Sequence, residues 1–285
     1  MRQFLLPRDF KYSEFVKKTK EEDCAGVSLQ IRGRDFHYLT HVLRYRSGDV
    51  FPGIDVDGRQ YTLSILEIGP DSLTLLAEHE KPAPRSISAK DEIRTEYYLF
   101  LALLKGKKMD TVIRQAAETG IHHIVPLLTD HTVVKLENQS REDKKLERWD
   151  AIIGEAQQQS GSPVHPKLHP PVPIREIGRI WQQESSKSAV SLFFHQNPLA
   201  NGSLHGYLSN CPRKVALVIG PEGGLSAAET EYLCSSNFSP VHLQTNVLRA
   251  ETAAIYAIGA VQSILQEKET WQIFPPLRQE ADIAE

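Results

Sequence analysis

The chain has 285 residues, 40% hydrophobic and 24% charged, which sets aside disordered, collagenous and coiled-coil classes and leaves room for two ordinary domains. Its 33 Lys and Arg stand against 36 Asp and Glu, a net charge of −3, so bulk positive charge cannot hold nucleic acid and any such site must be a local patch. The three cysteines, Cys24, Cys211 and Cys234, form no CxxC pair, which excludes a disulfide framework and a cysteine zinc site and fits a reducing compartment.

In chain order, Phe4-Leu-Leu-Pro7 is followed by Arg8 and Asp9 before any apolar leader core can develop, and no stretch approaches the roughly 18 apolar residues of a membrane span. A cytoplasmic protein is expected. Residues 24–80 read as short β segments parted by turn chemistry, with Asp57-Gly58 the best hairpin signal because both central residues of a type I′ turn need positive φ. Phe36, Leu39, Val42 and Leu43 recur at helical spacing and predict one short helix among them. Lys81-Pro-Ala-Pro84 stiffens the chain, and beyond it strand alternates with helix. The boundary is therefore expected near residue 85, giving a β domain over 1–85, an α/β domain over 86–270 and a peripheral tail over 271–285.

Within the second domain, the apolar run from Glu96 to Leu104 reads as a parallel strand buried on both faces. Met109, Val112, Ile113 and Ala116 form one helical stripe, with Gly120 at the C-terminal cap. A strand is expected over Ile121–Thr129, and Leu146, Trp149, Ile152, Ile153 and Ala156 mark a second helix ending near Gly161. Ala189–Phe194 and Lys214–Ile219 are further strands. Ser226-Ala-Ala-Glu229 is a capping box opening a helix, and a last helix runs from about Ala250 to Gln266. His122 and His123 fall on opposite faces of a strand, and no histidine group has convincing metal-ligand spacing, so no metal is expected.

Two stretches carry the chemistry: Val218-Ile-Gly-Pro-Glu-Gly-Gly224 and Leu243-Gln-Thr-Asn-Val-Leu-Arg-Ala-Glu-Thr-Ala253, each joining a strand to a helix. Their glycines let backbone approach a ligand, and each following helix offers unpaired N–H groups. GxGxxG and GxxxxGK[ST] are both absent, which leaves dinucleotide and P-loop sites unsupported.

The two stretches closely resemble the cofactor loops of the SPOUT methyltransferases, in particular the RsmE family that methylates N3 of a uridine in 16S ribosomal RNA. The likeness extends in order over almost the whole chain, through Phe4–Pro7, His37–Asp49, Lys105–Asp110 with Gln115–Ile121, and Glu155–Gly161. The resemblance implies an α/β class with a PUA-like β-barrel domain followed by a trefoil-knotted SPOUT domain. It also implies S-adenosylmethionine as cofactor, a homodimer, and 16S rRNA in the small ribosomal subunit as partner. Carried over residue by residue, the cofactor positions are Gly220, Pro221, Glu222, Gly223 and Gly224 in the first loop and Leu243, Val247, Leu248, Thr252 and Ala253 in the second. Arg249 is the candidate catalytic residue, because a guanidinium can stabilise a developing uracil anion and grip phosphate. A structural ion pair of Arg249 with Glu251 or Glu222 is the alternative.

Arg2, Arg8, His37, His41, Arg44 and Arg46 make the candidate RNA-facing cluster, with Lys105 and Lys107, beside Lys108, as a second basic loop. Residues 1–50 carry ten Lys or Arg against seven Asp or Glu, a surplus that a solvated surface would equally show. The chain departs from the family where Gln244 replaces a glycine and where Asn246, Ser162 and His131 replace arginines. Lost guanidiniums weaken phosphate grip more than they disturb a fold, which leaves open a SPOUT enzyme for another RNA position or atom, or an inactive RNA-binding assembly factor.

Overall fold

The structure is a computed structural model that describes residues 4–7, 10, 26–55, 59–79, 95–133, 139–184, 188–199 and 202–270. Arg2, Arg8, Asp57-Gly58, Lys81–Pro84 and the tail 271–285 lie outside the described residues.

Two sheets organise the chain. The first joins β1 (Phe4–Leu5), β2 (Val27–Arg32), β3 (Val50–Ile54), β4 (Gln60–Ile68) and β5 (Ser72–His79) in the order β1-β3-β4-β5-β2. All its ladders are antiparallel except β1 on β3. Strict alternation puts Tyr61, Leu63 and Ile65 of β4 and Leu73, Leu75 and Ala77 of β5 on one buried face. Leu66, on the outward face, is 50% exposed, and a register shift between Ile65 and Glu67 ends the alternation beyond it. Phe4, Phe10, Phe36, Phe51 and Tyr61 complete this core, with edge-on rings at Phe4–Phe51 and Phe10–Tyr61.

The helix expected near Phe36 is present but divided. α1 (Gly33–His37) runs into a wider π-helical turn over Tyr38–Val42, closed by the Leu43 amide on the Tyr38 carbonyl at 2.9 Å. The i→i+5 turn breaks the 3.6-residue stripe, so Phe36 and Leu39 are buried while Val42 is 56% exposed, against the expectation that it packs inside.

The second sheet is parallel throughout. It comprises β6 (Glu96–Ala102), β7 (His123–Leu128), β8 (Lys167–Leu168), β9 (Val172–Pro173), β10 (Ala189–Phe194), β11 (Lys214–Ile219) and β12 (Ser239–Val241), ordered β12-β10-β11-β6-β7-β8 with β9 also on β7. The near-continuous apolar runs of β6 and β11 have their physical reason here: both strands are covered on both faces. One face carries α2 (Lys107–Glu118), α3 (Gln139–Ser160) and α7 (Ala250–Thr270), and the other carries α4 (Ile177–Glu184) and α6 (Ala227–Ser235). A short α5 (Leu204–Tyr207) precedes β11. Gly120 and Gly161 end α2 and α3 at φ +79° and +71°, the left-handed caps that the sequence signals. Trp149 is core, 6% exposed, with its indole N–H donating to Asp110 at 3.1 Å.

The two sheets touch through α3. Leu5 of β1 lies against Gly154, and Arg34 of α1 pairs with Glu155 at 2.9 Å. Fully exposed on the arginine side, that pair contributes little energy and serves mainly as a marker of the contact.

Candidate active site

In a parallel sheet all carboxyl ends lie along one edge, where ligands of α/β proteins collect. The strand order makes the consequence specific. β10 lies between β11 and β12, so the loops after β11 and β12 flank the end of β10 from two sides. Between them is a cavity of about 470 Å³. Phe194, His195 and Gln196 line it where β10 ends, Gly220–Leu225 on one side, and Leu243 with Thr245–Ala250 and Ala253 on the other.

Of the residues singled out in sequence, Gly220, Pro221, Glu222, Gly223, Gly224, Leu243, Val247, Leu248, Arg249 and Ala253 come together on this cavity. Thr252 does not. Ala250 and Ala253 share the inward face of α7 at i,i+3 spacing, and Thr252 is rotated out to solvent. Phe194, His195, Gln196, Val241 and His242 were missed, although their place at strand carboxyl ends was the available signal.

The first loop is held rigidly. Gly224 sits at φ +73°, and a Cβ on Gly220 would lie 3.1 Å from the Leu225 side chain. His131 Nδ1 lies 3.1 and 3.0 Å from the carbonyls of Gly223 and Gly224; a carbonyl only accepts, so Nδ1 donates. Behind the loop the capping box is complete: Ser226 Oγ accepts from the Glu229 amide at 3.2 Å, and the Glu229 carboxylate accepts from the Ser226 amide at 2.8 Å. The same carboxylate, fully buried, accepts from the Asp130 amide at 2.7 Å, and Asp130 accepts from the Ser226 hydroxyl at 2.6 Å. The segment after β7 is thereby bolted to the loop and its helix.

The charges at the mouth are sorted. Lys108, in the first turn of α2, lies 3.0 Å from Glu222 and 3.5 Å from Glu251. It thus parts from Lys105, on the loop, and Lys107, at the first position of α2, which are both exposed. Burial pushes the Glu222 carboxyl up, but its own backbone amide, the Lys108 ammonium and the Lys105 backbone outweigh it and hold it below the usual carboxylate range. Such a carboxylate anchors a loop and is a poor proton acceptor. Arg249 is exposed at the rim with no hydrogen-bond or ion-pair partner on its guanidinium among the described residues, and Glu222 and Glu251 pair with Lys108 instead.

Of the family departures, Gln244 holds a left-handed backbone at φ +52°, a conformation that favours glycine. Ser162 is buried, its hydroxyl on the Val164 backbone. Asn246 lines the cavity.

The basic positions of the β sheet lie elsewhere. His37 and His41 stack at 4.5 Å with planes 5° apart, flanked by exposed Arg34, Arg44 and Arg46. Arg44 is held at φ +58°, which turns the chain out of the π turn.

A second polar cluster occupies the opposite, amino-terminal edge of the parallel sheet. Glu96 accepts from Tyr98 at 2.9 Å and pairs with Lys214 at 3.0 Å, and His123 stacks on Tyr98 at 4.0 Å. His169 Nε2 lies 3.0 Å from His123 Nδ1, and His123 Nε2 lies 2.8 Å from Glu96, a relay consistent with both rings neutral. Burial, then His123 and Lys167, pull His169 down to about 4; burial lowers His123 as well. Between pH 4 and the ordinary histidine value near 6.5 the unfolded chain therefore binds more protons at His169 than the native one, and stability falls as pH drops through that window. The loss expected from His169 is about 1–2 kcal/mol after its partial exposure is discounted. Thermal unfolding from pH 7 to 4 checks this: His169→Gln should flatten the slope, and an unchanged slope would remove the pair as its source.

Among the described residues no group of three His, Cys, Asp or Glu is placed to hold a metal, and no helix is long and apolar enough to cross a membrane.

Comparison with known proteins agrees with this geometry. The family described as RNA methyltransferase domain matches residues 91–262. The Ribosomal RNA small subunit methyltransferase E of a Synechocystis strain is 30% identical over 247 residues, covering 86% of this chain and 76% of its own. Its Bacillus subtilis namesake is 27% identical over 254 residues, covering 87% and 94%. A structure from Legionella pneumophila, described as a methyltransferase in complex with the bound cofactor SAM, superposes with a TM-score of 0.73 at 27% identity, covering 92% of this chain and 98% of that one. With a cavity built by two strand-to-helix loops at the carboxyl edge of a parallel sheet, and with matches spanning nearly its full length, the chain belongs to the RNA methyltransferase family, in the small-subunit ribosomal RNA methyltransferase E group.

Proposed function

We propose that this chain transfers the methyl group of S-adenosylmethionine to N3 of a uridine in 16S rRNA of the small ribosomal subunit. The observation that carries the reading is the convergence of both loops on one cavity with an uncommitted guanidinium, Arg249, at its rim.

The cavity fits the cofactor. Its volume of about 470 Å³ suits a nucleoside-sized ligand, and its walls alternate apolar side chains such as Phe194, Ile219, Leu243 and Leu248 with glycine backbone. Gly220–Gly224, Leu243, Val247, Leu248 and Ala253 would hold it, largely through main-chain groups. When bound, its sulfonium supplies an activated methyl that needs no metal. The protein's part is alignment: rigid loops set the direction of approach, and Arg249 stabilises the uracil anion left when N3 gives its proton to water, or grips the adjoining phosphate. A target base held in folded RNA must be unstacked to reach such a pocket.

The first 85 residues are proposed as a PUA-like RNA-reading barrel, with His37, His41, Arg44 and Arg46 on the RNA side, and residues 86–270 as a knotted SPOUT domain. A homodimer is proposed through α7 and the loop before it, where Val247, at the pocket, and Tyr256, on the helix, are 80% and 49% exposed. Asn246, lining the cavity where the family has arginine, favours a second reading, a different RNA position or atom.

Transfer of labelled methyl to small subunits from a strain lacking this gene tests the proposal. Label in 3-methyluridine is expected; label in another nucleoside favours the second reading, and no transfer despite cofactor binding sinks both.

A further inference from the structure

A lysine in the first turn of a helix opposes the helix dipole, so the place of Lys108 in α2 calls for a compensating interaction. The compensation comes from two directions at once. Glu222 belongs to the loop after β11, and Glu251 to the first turn of α7, directly after the loop that follows β12. These loops are opposite walls of the cavity, and among the described residues Lys108 is the one ion-paired link between them. The link is uneven. Its ammonium is at hydrogen-bond length from Glu222, whereas Glu251 Oε2 is buried, 3.5 Å away and without a hydrogen-bond partner. A buried carboxylate oxygen left that way is costly, and an approach of roughly half an ångström converts it into a charge-assisted hydrogen bond.

Resting on the reading of this cavity as the cofactor site, we propose that Lys108 is a positioning residue that holds the two pocket loops at cofactor-binding separation, drawing Glu251 and its loop onto the bound cofactor. Lys108 itself lines the cavity beside these two carboxylates, and the role proposed for it is exerted on the loops through them. It acts through Glu222 and Glu251, and its ammonium, already engaged by two carboxylates, is not a phosphate contact as Lys105 and Lys107 are proposed to be.

The test is calorimetric titration of S-adenosylmethionine into the full-length wild type, Lys108→Met, Lys108→Arg and Glu251→Gln, without RNA, followed by turnover on small subunits. Lys108→Met is expected to weaken cofactor binding about tenfold, Lys108→Arg to recover it to within about threefold, and Glu251→Gln to fall between. In turnover the loss should appear in KM for the cofactor, with kcat at saturating cofactor changed less than about threefold, because saturation closes the loops by mass action. Unchanged cofactor affinity in Lys108→Met overturns the proposal. So does a raised KM for RNA with cofactor affinity intact, which would make Lys108 a phosphate contact. Wild-type protein that binds no cofactor instead overturns the reading of the cavity itself, so the two failures are distinguishable.

Discussion

Arg249→Ala is expected to lower methyl transfer about 100-fold to 1000-fold while leaving the melting temperature and cofactor affinity close to wild type. The stability half of this expectation follows from exposure and from the absence of any side-chain partner on its guanidinium among the described residues: deleting an exposed, unpaired guanidinium removes no packing and orphans no buried group. The activity half follows from location. The side chain stands at the rim of the cavity, one residue before α7 begins, on the side from which the proposed reading brings the RNA. A preorganised cation worth about 3–4 kcal/mol to a developing anion accounts for a rate loss of that size. Lys at the same position keeps the charge but not the fork, and should recover only part of it. Turnover of Arg249→Ala equal to wild type would remove Arg249 from the chemistry.

The second large effect is on stability. Glu229→Ala is expected to cost about 3–4 kcal/mol, because one fully buried carboxylate accepts from both the Ser226 and the Asp130 amides and its removal leaves both donors unpaired as well as breaking the helix cap. Loss of a cap alone costs about 1 kcal/mol, so the excess measures the link to Asp130. The substitution should also weaken cofactor binding, since His131, the neighbour of Asp130, donates to the carbonyls of Gly223 and Gly224. Chemical denaturation checks this: a loss in Glu229→Ala no larger than the roughly 1 kcal/mol of a cap would mean that the carboxylate does no more than cap.

How much of this was legible in the sequence depends on whether the signal is local. Helix stripes, the caps at Gly120 and Gly161, the capping box at Ser226 and Glu229 and the apolar runs of β6, β10 and β11 were all readable, because each is decided within a few residues by periodicity or by the conformational freedom of one glycine. The two loops that line the cavity were readable for the same reason, as strand-glycine-helix joints, and their likeness to a known family attached a chemistry to them.

What the sequence alone left undecided was pairing between distant segments. Nothing local distinguishes β12 (Ser239–Val241) as a strand; a three-residue segment containing Pro240 becomes one because it extends β10 in parallel register. Nothing local turns Val42 outward, since it is the π turn, set by packing of Phe36 and Leu39 beneath it, that breaks the stripe. Above all, Lys108 and Glu222 are 114 positions apart, and their ion pair at 3.0 Å exists only because β11 lies against β6 in the sheet. The parallel pairing of β10 with β12, equally absent from any local pattern, brings His195 and His242 to the cavity on which Arg249 stands unpaired among the described residues. Local propensity therefore determined most of the helices, strands and loops; the order in which the strands lie side by side, a matter of long-range burial, decided which charges meet across the cavity.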